Sequence, residues 1–599
     1  MNQKKKELFT ACVLWATVFA MYWYTLSPSV GFIDSGELAT VGATLGIAHP
    51  TGYPLFTMLA RIFSMLPITD EIIVRMNLLS ALCTSLAVVC FFYFVLELQD
   101  FGRKAVSSRP IIASTIASYM LAFSTTFWSQ GVVVEVYSLH LLLIIFLLFS
   151  FAKAVNSGEI RWWYLFAFVT GLAFTNHLTT VLLSPALLYW YFVEHGINKE
   201  AIRKISRLVI PFAAGFSVYA YLPLRAAQHP LLNWGNPQTL ENFWWHFTGK
   251  QFRVWMFSSS EVAKKQLEYF FSNLQYEFHF IVLILAMIGS LTMLFSERRK
   301  FVIVTILFVS CVAYSINYDI HDIDSYFLLA FISVTVFSAY GMEWIIRRFE
   351  NRTSKTIVAA IIGSVAALQL YENYHAADQS RNYLVEDYTY TILNSLPPNA
   401  IVLSTQWDYF VAASYYFQRV KSIRSDVIVL DKELFRRSWY FPQCERMYPA
   451  LMENSKEESD LFLHELYKFE HDVPYHFAAI ESRYTALLKS FIDKNDTVAF
   501  YVTPEIEPQY TQGYLRIPEG FLFRLTNDTT YVSVQFPKIR YREFSKVDKY
   551  VQSLKMLMVN ALKRREAYEK FYNNDSASAL YAKKAAEIAS NPSPKVINF

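Results

Sequence analysis

Asp34 and Glu37 stand three residues apart in GFIDSGELATVGATLGIAHPTGYPL, Gly31 to Leu55, directly behind the first long apolar run of a 599-residue chain. On a helix that spacing puts both carboxyls on one face, where one can take a proton and the other orient it. The same Asp-Ser-Gly-Glu also fits a capping box, with Asp34 as N-cap and Glu37 at the third helical position, and the local sequence leaves both readings open. His49 precedes Pro50, and Gly52 and Pro54 follow, so its imidazole is held on a rigid bend, either to close the turn or to meet a phosphate or an acceptor. Arg225, at the end of SVYAYLPLR, is the first choice for gripping a phosphate bidentately, with snorkelling at the bilayer interface as its alternative. Arg253 is a second cation of the same kind. Glu135, Tyr137, Asn176 and His177 lie near the ends of apolar runs, as substrate-binding or supporting groups or as polar bridges between helices. Asp319, His321, Asp322 and Asp324 crowd into NYDIHDIDSY, a loop that offers hard ligands to a metal, binds substrate hydroxyls or is merely solvated. No second ligand group of matching spacing accompanies it, so no metal is expected.

The elements that must position these side chains are mostly membrane helices. Apolar residues make up 54% of the chain and charged ones 17%, whereas a soluble domain carries roughly a quarter charged residues. Runs near Leu8 to Leu26, Ile72 to Leu96, Ile111 to Trp128, Val132 to Phe151, Trp162 to Phe174, Leu178 to Val193, Leu208 to Leu224, Phe280 to Phe295, Val302 to Ile316, Tyr326 to Ile345 and Thr356 to Leu370 predict about eleven spans. The first reads as a retained span, since no small-residue cleavage site follows its basic start. Threading the chain alternately through a bilayer puts Lys4 to Lys6, Arg103, Lys104, Arg109, Lys199, Arg203, Lys204, Arg207, Arg298 to Lys300 and Arg347 to Lys355 on one side. The positive-inside rule makes that side cytoplasmic.

The polar candidates then converge at the opposite rim, which is the periplasmic face of a bacterial inner membrane, or the lumenal face in a eukaryote. The predicted organisation is a polytopic helical membrane domain over 1–371, with external loops 31–70 and 225–277, an external soluble α/β domain over 372–544 and a helical segment over 545–599. AIVLST and SDVIVLD read as buried strands, with Trp407 to Arg419 as a helix between them. In the last segment Leu554, Met558 and Leu562 recur at four-residue spacing, like one tetratricopeptide unit serving as a packing cap or a docking element. The net charge of +4 implies no nucleic-acid partner. Cys12, Cys83, Cys90 and Cys311 lie in apolar runs, with only Cys444 elsewhere, which predicts inert thiols.

The sequence holds no P-loop, dinucleotide fingerprint, Gly-x-Ser-x-Gly elbow or His-Glu-x-x-His, which leaves ATPase, dehydrogenase and familiar hydrolase chemistry without support. The Gly31 to Leu55 segment, with WSQGVVVEVYSLH, GLAFTNHLTT, YLPLRAAQHPLLNWGNPQT and, more loosely, NAIVLSTQWDYFVAASYYFQ and RSDVIVLD, resembles the transmembrane protein 260 family of protein O-mannosyltransferases, within the glycosyltransferase superfamily C (GT-C) architecture. Where bacterial relatives carry a Gly-Asp-rich stretch after the first soluble strand, this chain has Thr405, Gln406 and Trp407. The resemblance implies transfer of mannose or a similar hexose from a polyprenyl-phosphate donor to Ser or Thr of an exported protein, with no cofactor beyond the donor lipid. Asp34 would deprotonate the hydroxyl and Arg225 would hold the leaving phosphate. Direct displacement would invert the anomeric carbon. A transporter or lipid flippase is the competing expectation, and it calls for internal repeats around a midplane site.

Overall fold

A computed structural model describes residues 3–101, 110–349, 351–542, 544 and 548–590. The charges at Arg103, Lys104 and Arg109 used in the topology argument lie outside them. A helix sits on each of the eleven apolar runs. Among the described residues, six helical segments are long and apolar enough to cross a bilayer: Gln3–Tyr24, Ile72–Asp100, Val136–Ser157, Lys199–Ala226, Ile323–Arg347 and Thr353–Ala377. A seventh is added if Ser260–Glu277 and Phe280–Ser296, bent by 111° at their junction, count as one broken span. Of the remaining runs, Val302 to Ile316 is carried by one unbroken 18-residue helix, Arg298–Ser315, that opens on three cations, and the others are interrupted or short. The run from Ile111 breaks between Ile111–Ala122 and Thr125–Ser129, Leu178 to Val193 begins as a 3-10 turn, and Ile160–Phe174 has 15 residues. With these helices, the molecule is an integral membrane protein.

Close packing in the helical body uses small residues where backbones cross. A Cβ on Gly289 would lie 1.8 Å from the Phe337 carbonyl oxygen, and one on Gly341 2.0 Å from that of Leu285. Helices Phe280–Ser296 and Leu328–Arg347 therefore touch backbone to backbone, the contact that replaces hydrophobic driving force in lipid.

After Ala377 the chain builds an α/β module. Its strands are β1 (Ile401–Ser404), β2 (Ile428–Asp431), β3 (Phe500–Val502), β4 (Leu515–Glu519) and β5 (Leu522–Thr526), in the order β2-β1-β3-β5-β4. β1 pairs parallel with β2 and β3, and β5 pairs antiparallel with β3 and β4. Both strands read from the sequence are present, and the stretch between them holds a π-helical turn at Trp407–Val411 followed by helix Ala412–Arg419. Ligands of open α/β sheets gather beyond the carboxyl ends of parallel strands. Here those ends, at Thr405 to Trp407 and Asp431 to Arg437, meet the membrane helices.

The junction is tight. Helix Ser35–Thr44 lies on helix Ala412–Arg419 so closely that a Cβ on Gly36 would stand 2.3 Å from the Ala412 carbonyl oxygen. The Ile33 amide donates to the Asp408 carbonyl at 3.1 Å, and the Ile73 amide to the Tyr416 hydroxyl at 3.0 Å. Helices Lys549–Phe571 and Asp575–Ala589 form the closing pair. Leu554, Met558 and Leu562 are buried, and so is Arg565, whose guanidinium donates to Glu569 and to the Pro518 and Val532 carbonyls. The pair is fastened to β4 and to the Val532 backbone, as a packing cap would be.

Candidate active site

Helix Ser35–Thr44 carries the central constellation. Asp34 is its N-cap residue by position, yet its side chain caps nothing. Trp407 Nε1 donates to Asp34 Oδ1 at 2.7 Å, across 373 residues of sequence. Glu37, with 1% of its side chain exposed, turns both oxygens to His49: Oε1 accepts the backbone amide at 2.8 Å and Oε2 accepts Nδ1 at 2.7 Å. The capping-box alternative is therefore not realised, and the two carboxyls are not equivalent. Glu37 is spent on orienting the imidazole, while Asp34, 24% exposed, keeps Oδ2 without a hydrogen bond among the described residues.

His49 sits between them. Burial works to lower its pKa, but the Glu37 and Asp34 carboxylates outweigh burial and carry it up to about 10. The ring is then an imidazolium, with Nδ1–H on Glu37 and Nε2–H facing the Tyr53 oxygen at 2.9 Å, while Tyr53 O–H donates to the Pro50 carbonyl at 3.0 Å. Asp34 Oδ2 lies 3.7 Å from Nε2. For Asp34, burial raises the pKa above 3.8, the His49 charge pulls it back and Glu37 adds to the rise. Ile33 and Tyr53, next to these groups, hold left-handed backbone at φ 60° and 44°. Such strain costs on the order of 1–3 kcal/mol per residue and persists where surrounding contacts impose it, as the Asp408 carbonyl does at Ile33.

Asp34 and His49 open on a cavity of about 800 Å3 between the helical body and the module. Glu135, Tyr137, His177, Asp322 and Arg253 line the same cavity. His177 stacks on Tyr53 with centroids 6.0 Å apart and bonds Thr179 through Nδ1 at 2.7 Å. Trp234 and Phe252 from the 225–277 loop stand edge-on to His49 at 6.0 and 6.4 Å. That loop is pinned by a bridge between Ile47 and Asn233.

Other expectations are corrected. Arg225 does not line the cavity: its guanidinium donates to the Thr44 and Leu45 carbonyls and to Gln228, closing the carboxyl end of helix Ser35–Thr44. A helix leaves its last carbonyls without partners, and a nearby guanidinium satisfies them. Asn176 is buried and donates to the Val136 carbonyl at 3.2 Å, a bridge between helices. Asp319 and His321 are exposed and away from the cavity, so the NYDIHDIDSY loop assembles no ligand set, although Asp322 and Asp324 reach the cavity wall. Among the described residues, the ligand atoms of Asp34, Glu37 and His49 lie within 4.8 Å of one another. A cation there would take a lone pair from His49 in place of the proton on one of its two nitrogens, which face Glu37 and Tyr53.

Several cavity residues were missed by the sequence reading: Trp407, Asp431 and Arg437 from the module, and Lys549 and Tyr550 from the closing helices. Their signal was position, since the first three lie at or just beyond the carboxyl ends of β1 and β2. Burial pulls the Arg437 pKa down, and its guanidinium makes no hydrogen bond among the described residues, a cost that an anion would relieve. Arg253, exposed at the cavity wall, is likewise unbonded among the described residues. Burial raises Asp431 to about 7, and burial with the Asp34 charge raises neighbouring Asp408 to about 7.

An acidic cluster behind the first helix, a multi-helix body and a C-terminal α/β module make up a fold that a solved structure shares. The crystal structure of ArnT from Cupriavidus metallidurans bound to undecaprenyl phosphate superposes with a TM-score of 0.53 at 11% identity, covering 88% of this chain and 99% of that one. Residues 34–200 match the family model described as the Protein O-mannosyl-transferase TMEM260 N-terminal domain. The matched range starts at Asp34 and takes in Glu37, His49, Glu135, Tyr137, Asn176 and His177. The chain is similar to Protein O-mannosyl-transferase TMEM260 of Mus musculus, 28% identical over 463 residues. It is also similar to the tmem260 protein of Dictyostelium discoideum, 25% identical over 495 residues. Each alignment covers 73% of this chain but spans only 64% and 59% of the respective relative.

Proposed function

We propose that this protein is an inverting, metal-independent membrane glycosyltransferase that moves mannose or a similar hexose from a polyprenyl-phosphate donor to Ser or Thr hydroxyls of exported proteins. The observation that carries the reading is one carboxylate, Asp34, with Oδ1 held by an indole and Oδ2 open to a cavity that also bears the guanidinium groups of Arg253 and Arg437, neither of them hydrogen-bonded among the described residues. The names of the TMEM260 relatives support the choice of sugar and acceptor. The undecaprenyl phosphate bound by the ArnT structure supports the choice of carrier.

In the proposed reaction the acceptor hydroxyl enters beside Asp34. Oδ2 takes its proton as the hydroxyl oxygen attacks the anomeric carbon from the side opposite the phosphate. The bond from that carbon to the phosphate oxygen breaks, its electron pair leaves with the polyprenyl phosphate, and the glycoside forms with inverted configuration. The leaving group is already ionised, so it needs a cationic clamp rather than an acid, and Arg253 with Arg437 supplies one. The raised pKa of Asp34 makes its carboxylate a stronger base than a free one. The His49 imidazolium, fixed by Glu37, offsets the charge of Asp34 so that it stays ionised against burial. In this reading the cavity opens to the periplasm or lumen and the amino terminus is cytoplasmic.

The test is incorporation of labelled sugar from prenyl-phosphate donors into Ser/Thr peptides by purified wild-type and Asp34→Asn protein, with and without chelator. Transfer by the wild type, unaffected by chelator and lost in the variant, is expected. Equal transfer by both removes Asp34 as base. No transfer by the wild type with several donors favours a carrier over an enzyme.

A further inference from the structure

We infer that Trp407 of the α/β module is a positioning residue for the Asp34 carboxylate, so that the C-terminal module completes the catalytic centre. The inference rests on the reading of Asp34 as the base. Its geometric support is independent of that reading: the indole Nε1 lies 2.7 Å from Oδ1, and the Trp407 ring lines the same cavity as Asp34. Two further contacts fix the indole. Trp234 stands edge-on to it with centroids 5.3 Å apart at 88°, and Tyr415 at 6.2 Å and 68°. The backbone beneath is fixed as well, because the Asp408 carbonyl takes the Ile33 amide and Gly36 seats on Ala412.

A carboxylate on a short side chain rotates freely unless a donor holds one oxygen. With the indole in place, Oδ1 is occupied and Oδ2 faces the cavity. Without it, the nearest cation to Asp34 is the His49 imidazolium, whose Nε2 is 3.7 Å from Oδ2. The carboxylate would turn toward that charge, withdrawing its free lone pair from the acceptor hydroxyl. A neutral N–H is the right partner here. It orients the anion and lowers its basicity less than a full positive charge at 407, a Lys or an Arg, would.

The experiment compares full-length wild type with Trp407→Phe, which keeps the aromatic packing and deletes the N–H, and Trp407→His, which keeps a ring N–H. Steady-state transfer is read as kcat and KM separately for donor and acceptor, beside the melting temperature in detergent. A hydrogen bond to a charged group is worth enough that W407F should lose roughly tenfold to a hundredfold in kcat, with both KM values within about twofold of wild type. W407H should recover part of the loss. A W407F protein with wild-type kcat, a loss confined to KM, or a His variant no better than Phe overturns the inference while leaving the transferase intact. A wild type that transfers no sugar overturns the proposed function, and this inference with it.

Discussion

Replacing Glu37 by Gln changes almost no volume but removes a charge and turns one of two acceptors into a donor. In the native arrangement both oxygens receive N–H groups of His49, at 2.8 and 2.7 Å. The amide must therefore face one N–H with its own NH2, on a side chain that is only 1% exposed. An unsatisfied buried group costs roughly 1–3 kcal/mol, more when a charge is involved. The larger effect falls on His49. Its rise from 6.5 to about 10 amounts to roughly 5 kcal/mol at about 1.4 kcal/mol per tenfold change in proton affinity, and Glu37 is the largest of the contributions that raise it. Because the folded value is raised, this stabilisation is fully present below pH 6.5 and is lost as pH rises through about 10. The wild type should thus melt at progressively lower temperature across that window. Glu37→Gln should already melt several degrees lower at neutral pH and show a flattened dependence. Thermal unfolding in detergent at pH values spanning the window measures both. A Glu37→Gln protein with wild-type melting temperature and wild-type slope would refute the assignment of a buried imidazolium–carboxylate pair.

Arg437→Ala and Arg253→Ala should each weaken donor binding about tenfold, as loss of a charge-assisted contact predicts. Arg225→Ala should instead lower thermal stability and leave donor affinity near wild type, since its donors go to backbone carbonyls. Gly36→Ala drives a methyl to 2.3 Å from the Ala412 oxygen, so a melting shift corresponding to about 1–3 kcal/mol and a fall in transfer rate are expected from the separated junction. The rate should fall on acidification with a midpoint above the ordinary Asp range, because burial raises Asp34 and only its ionised form takes a proton. A pH profile of kcat/KM checks the last point, and a midpoint near that of a free Asp would count against it.

Helices were easy to read because a bilayer core demands long apolar runs, and a helix is found on all eleven. Their continuity was harder, since the break at Phe123 and the 3-10 start at Leu178 are set by tertiary contacts that hydropathy does not encode. Asp34, His49, Glu135, Tyr137, His177 and Asp322 were legible as one group because each is a polar side chain at the edge of an apolar run, where cost selects for partners. Arg225 misled for the same reason: it is polar and at an edge, but its partners are main-chain oxygens, which carry no sequence signal. The Glu37 role was undecidable locally, since a capping box and an orienting carboxylate share the same spacing. Trp407 and Arg437 lie hundreds of residues from Asp34, and only the docking of the sheet's carboxyl ends onto the helical body brings them near.

The seat of Gly36 on Ala412 bears on protein engineering. Where Gly36 meets Ala412 the two backbones are in direct contact, so a chimera that grafts a relative's module onto these membrane helices must reproduce the path of the host main chain there as well as match residue types around it. Selectivity for new acceptors would then be sought in the loops after β1 and β2, which can be exchanged while the seam is left untouched.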